Sequence, residues 1–174
     1  MKSVFREKPA PAELRRRMAG WRGKVWVWWP VVFMVAVIAT ESTGTFSSDN
    51  TSGWIRPWME RIFGHINDTV WRWGHHLARK SGHLTGYGLL CLAWLRAWLL
   101  TLALRPGLTW WRWRSVGLAI AATFCVAGLD EWHQTFLPNR TGLFSDVLLD
   151  TAGGAAMCAL VWLIRWPTRK MRSR

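Results

Sequence analysis

The sequence predicts an all-α membrane protein: four transmembrane helices, both termini cytoplasmic, and an amphipathic interfacial segment between helices 1 and 2. Three observations predict it. The apolar half of the chain is gathered into four blocks, Lys and Arg collect on alternate sides of those blocks, and many of the 16 Trp residues cluster near block ends.

The blocks place the helices at about 25–41, 82–104, 115–132 and 143–166. A crossing takes about 17–25 residues at 1.5 Å rise each. The second and fourth blocks meet that; the first and third are short, so interfacial residues complete them. The membrane domain is then 25–166, with basic tails at 1–24 and 167–174 and an outer loop at 42–79.

Net charge is +13, but its placement argues against nucleic acid. Lys2, Arg6, Lys8, Arg15, Arg16, Arg17, Arg22 and Lys24 precede block one. Arg105, Arg112 and Arg114 lie between blocks two and three, and Arg165, Arg169, Lys170, Arg172 and Arg174 close the chain. Short loops rich in Lys and Arg stay in the cytoplasm, which puts both termini inside. The basic start followed by an apolar run also has the form of a signal peptide ending at Ala39, but the four-helix topology favours a retained anchor. Trp26, Trp28, Trp29, Trp110, Trp111, Trp113, Trp162 and Trp166 fit interfacial belts. Cys91, Cys125 and Cys158 each fall inside a membrane helix as small apolar residues, with no CxxC pair.

The outer loop is too long for a plain connection. After Ser- and Thr-rich turns, apolar residues fall at Ile55, Trp58, Ile62, Ile66, Val70, Trp73 and Leu77, near helical spacing. The expectation is an interfacial helix broken near Gly64, acting as a cap on the bundle or as a lid. Small residues at four-residue spacing, Gly117 with Ala121, Ala152 with Ala156 and Gly154 with Cys158, suit close helix packing.

Topology sends the conspicuous polar residues to the outer surface. Asp146 and Asp150 are four apart on helix 4, Glu131 and Gln134 three apart on helix 3, and His83 and Tyr87 four apart on helix 2. Lys80 lies three before His83, Glu41 closes helix 1, and Asp130 and Arg140 flank the end of helix 3. Ionisable groups beside hydrocarbon cost about 2.5–3.5 kcal/mol each at mid-membrane on insertion scales, so such a set marks function more often than scaffolding. Paired carboxylates suit Mg²⁺ or Ca²⁺ with water and phosphate, and Glu131, Asp146 and Asp150 are the candidates. Glu131 and His83 suit acid–base work, with Asp146 as partner carboxylate. Arg140 and Lys80 suit an anionic headgroup. The alternative is a charge network that pins helix ends. Ser81-Gly82-His83 matches one motif of membrane phosphatidic-acid phosphatases, but that family's other segments are missing; His75-His76 points to different helix faces.

At these residues the chain resembles the VanZ-like family of small bacterial membrane proteins. A basic pair followed by a spaced His and Tyr is matched by Arg79-Lys80, His83 and Tyr87. An acidic pair, Gln, aromatic, Pro and Arg, then Asp and small residues, is matched by Asp130-Glu131, Gln134, Phe136, Pro138, Arg140, Asp146, Asp150 and Gly153. Glu41 also fits. Asn139 stands where the family has Gly, and Asp150 where Asn is common. The resemblance implies a multi-pass protein of the bacterial cytoplasmic membrane, and a link to low-level teicoplanin resistance. The residues and the resemblance together point to a site at the outer face for membrane lipid, a lipid-linked cell-wall precursor or a glycopeptide. Catalysis would rest on Glu131, His83 and Asp146, and binding on Glu41, Lys80, Tyr87, Asp130, Gln134, Arg140 and Asp150. A non-enzymatic accessory protein using the same pocket, or a small transporter, are the other readings.

Overall fold

A computed structural model describes residues 12–104, 111–138 and 140–171; Lys2, Arg6, Lys8, Arg105, Trp110, Asn139, Arg172 and Arg174 lie outside the described residues. In chain order come α1 (Ala12–Ala19), α2 (Trp21–Glu41), a 3-10 turn (Gly44–Phe46), α3 (Ser48–Phe63), α4 (Asp68–Ala103), α5 (Trp111–Gln134) and α6 (Phe144–Met171). Among the described residues there is no strand. The helices α2, α4, α5 and α6 are long and apolar enough to cross a membrane.

The second membrane helix begins at Asp68, well before the expected residue 82. Hydropathy rises only near Gly82, but nothing between Asn67 and Leu104 breaks a helix. The chain breaks earlier, at Gly64, whose φ of 78° ends α3 in the left-handed region. Asn67 then caps α4, its side-chain oxygen accepting the Thr69 N–H at 2.8 Å. A helix of 36 residues is about 54 Å long. That exceeds a hydrocarbon core of about 30 Å, so the polar first half of α4 stands beyond the apolar layer. Its buried residues accordingly start at Tyr87.

Helix α3 is the expected amphipathic segment. Ser47 caps its first turn, accepting the Asn50 N–H. Arg56 pairs with Glu60 at 3.1 Å within α3 and ties that helix to the start of α4 through Asp68 at 2.5 Å. That guanidinium holds the Glu60 carboxyl below the usual range. Trp54, Trp58 and Ile62 form an exposed stripe, so the apolar face is turned outward and not onto the bundle.

Helix α4 is the hub, packed on α2, α5 and α6. Two adjacent glycines let α6 approach it: a Cβ at Gly154 would lie 2.9 Å from the Cys91 Cβ, and one at Gly153 would lie 3.0 Å from the Leu84 carbonyl oxygen. Cys91 and Cys158 meet across this seam with sulfurs 3.6 Å apart, both free. Trp28 departs from the interfacial belt: it packs edge-on against Trp94 and Trp98, with centroids 5.8 and 5.1 Å away. Much of the outer surface is apolar, Phe33 and Leu163 among it, as hydrocarbon allows.

Arg96, a charge within the apolar stretch of α4, is accounted for by α2. Pro30 has no N–H, which leaves the Trp26 carbonyl without its helical donor. Arg96 donates there from Nη1 at 3.3 Å and to the Val27 carbonyl at 2.9 Å, and its guanidinium lies 4.2 Å from the Trp26 ring centroid. The charge therefore joins α4 to α2. Arg96→Leu is expected to cost about 1–3 kcal/mol through the stranded carbonyl. The loss should shrink in a Pro30→Ala background, where the helical donor returns. Thermal unfolding of the four proteins in detergent checks this, and equal losses in both backgrounds would contradict it.

Candidate functional site

Helical spacing assembles a polar cavity at the end of the bundle where α2 and α5 finish and α6 starts. Residues 76, 80 and 83 repeat on one face of α4, so His76, Lys80 and His83 enter the cavity together. Glu131 and Gln134 come from the last turns of α5, and Asp146 and Asp150 from the first turns of α6. The cavity holds about 270 Å³.

Each charged group has a distinct environment. Lys80 donates to Asp146 and neutralises it, joining α4 to α6. Glu131 uses Oε2 to accept the Leu143 N–H at 2.9 Å, which fixes the chain entering α6. A Cβ at Gly142 would collide with the Glu131 carbonyl oxygen, so glycine is required for that close approach. His83 Nδ1 lies 3.7 Å from Asp150 Oδ2, close enough for ion pairing but too long for a hydrogen bond. Asp150 is 1 % exposed, and its Oδ2 has no hydrogen-bond partner among the described residues. Buried polar atoms are nearly always satisfied, so an open acceptor in a cavity wall points to an absent donor.

Other residues brace the site from behind. Tyr87, 1 % exposed, donates its hydroxyl to Asp130 Oδ2 at 2.9 Å, and Gln134 donates to the same oxygen at 3.2 Å. Tyr87 and Asp130 are not among the residues lining this cavity. Arg140 lines it, yet its Nη2 donates to the carbonyls of Glu41 at 2.9 Å, Thr43 at 3.3 Å and Phe46 at 2.9 Å. That Arg thus closes the end of α2, whose last carbonyls lack helical donors. Arg79 adds a bond to the Phe46 carbonyl at 3.0 Å. Glu41 lines a neighbouring cavity of about 250 Å³ that shares Arg79, His83 and Arg140 with the first.

Glu131, Asp146 and Asp150, the candidates for a divalent cation, are differently engaged. Among the described residues no group of three or more His, Cys, Asp or Glu side chains is placed to hold a metal ion. Lys80 has taken Asp146 and a backbone N–H has taken Glu131. What remains is an imidazole beside a buried carboxylate, a second carboxyl across the cavity, and cations at the rim. That set can move a proton and hold an anion.

Among the lining residues, Ser48, His76, Arg79 and Thr141 are polar groups outside the sequence-based candidates. Arg79 belongs to the basic pair of a motif, and His76 to a neighbouring His pair on different helix faces. The seven-residue spacing from His76 to His83, with Lys80 between, is the signal that finds them.

A family model described as VanZ/LLP1 matches residues 25–165. No curated protein and no solved structure matches the chain.

Proposed function

The chain belongs to the VanZ/LLP1 family, and on that basis we propose that it binds and acts on an envelope lipid or lipid-linked cell-wall precursor. The site is the polar cavity, set at the extracytoplasmic face of the bacterial cytoplasmic membrane. The basic flanks of the first and last membrane helices support cytoplasmic termini, and the alternation of four helices then turns the cavity outward. The observation that carries the reading is the unpartnered, buried Asp150 oxygen facing His83 in a cavity rimmed by Arg79 and Lys80. His83 is the proton carrier in this reading, Asp150 holds it, and Glu131 is the second acid–base group. Lys80 and Arg79 attract the anionic headgroup.

A non-enzymatic binding role for the same cavity has its own support, because Asp130, Asp146 and Arg140 are all engaged inside the protein. A transporter has less: Arg96 is held by α2 carbonyls. The test is mass spectrometry of envelope lipids and peptidoglycan precursors incubated with purified wild type or Glu131→Gln. A product made only by the wild type is the expected result. Unchanged lipids with both proteins would move the assignment to binding alone. The family name extends the proposal to glycopeptide tolerance, with teicoplanin tolerance expected in cells expressing the wild type and lost with Glu131→Gln.

A further inference from the structure

An apolar groove of about 420 Å³ runs along the α4–α6 seam, lined by Leu84, Thr85, Gly153, Ala156, Met157 and Leu160 among others. Its lining lies one helical turn further along both helices than that of the polar cavity. Leu84 follows His83 directly and lies one turn past Lys80, while Gly153 lies one turn past Leu149 and Asp150. Leu84 leans over Gly153, where a Cβ would meet its Cδ1 at 2.6 Å, and so forms the boundary between the two spaces. From Asp150 to Leu160 the helix rises about 15 Å, which is half of a hydrocarbon core of about 30 Å.

We propose that this groove holds a hydrocarbon chain of the same ligand whose headgroup occupies the polar cavity, so that an anionic phospholipid enters sideways from the outer leaflet between α4 and α6. The inference rests on the lipid reading above. Small residues alone would equally suit a packed helix. The polar cavity one helical turn away on the same two helices decides for an amphiphile. One turn from the groove, Asp150 Oδ2 is buried without a donor among the described residues, and Arg79 and Lys80 line the same cavity. A phospholipid with a hydroxyl in its headgroup answers both, donating to Asp150 and placing its phosphate on the cations. Its chain length suits a groove of one leaflet's depth, whereas a packed helix supplies no headgroup.

The test uses phosphatidylglycerol carrying a diazirine near the middle of one acyl chain, photolysed with the full-length protein in nanodiscs. Adducts are mapped by peptide mass spectrometry. Ala156 is exposed on the groove wall, so Ala156→Phe fills the groove without disturbing the core; Ala159→Phe, also exposed on α6, is the control. The expected result is labelling between Ala152 and Leu160 that falls at least fivefold with Ala156→Phe and is unchanged with Ala159→Phe. Retained lipid with adducts elsewhere, or equal labelling of both variants, would overturn the groove while leaving the headgroup site standing. No retention of phosphatidylglycerol by the wild type would overturn both. A cross-linked dimer through the groove in place of lipid adducts would assign it to a second copy and overturn the proposal.

Discussion

Asp150→Leu is expected to lower lipid turnover or affinity by about a hundredfold while leaving the folded protein as stable as the wild type or more so. The two halves of that result have one cause. Asp150 is 1 % exposed and its Oδ2 has no donor among the described residues, so the native state carries an uncompensated acceptor. An apolar side chain of similar volume removes the cost. It also removes the carboxylate that faces His83 at 3.7 Å and leaves the imidazole without its anchor. Titration with phosphatidylglycerol, followed by Trp fluorescence, and melting in detergent separate the effects. A purely structural Asp150 would give the opposite pattern, with stability lost and binding kept in the protein that still folds.

Gly154→Leu is expected to give the largest loss of folded protein. A Cβ at that position already sits 2.9 Å from the Cys91 Cβ and 3.4 Å from Thr123 Cγ2, so α6 cannot accept a branched side chain without moving away from both α4 and α5. Overpacking a close-packed interior costs about 1–3 kcal/mol and here strikes the seam of three helices. The measurement is the fraction of monodisperse protein after extraction, with the melting temperature. Gly117→Leu is the comparison, since a Cβ there meets nothing within 4 Å. Equal losses for both would contradict the assigned seam.

The four membrane helices were legible because hydropathy and helical length are properties of short windows. The family motifs, too, lie within two stretches, Arg79 to Tyr87 and Asp130 to Gly153. Spacing placed Lys80 and His83, and Asp146 and Asp150, on shared faces, and the structure brings both pairs to one cavity. The start of α4 was not legible from hydropathy, since a helix continues through polar sequence until a break, and the break is Gly64. Nor was the division between wall and backing. Tyr87 and Asp130 share their motifs with lining residues, but they are buried and hydrogen-bond to each other. The service of Arg96 to the carbonyl above Pro30 joins residues 70 apart, a contact that no window contains.

Native mass spectrometry of the protein released straight from its membrane tests the central claim most directly. The wild type is expected to retain one anionic lipid, and His83→Ala, purified alongside at equal stability, little or none. A wild type that emerges free of lipid, or a variant that carries the same lipid to the same extent, would contradict the assignment of the cavity as a lipid headgroup site.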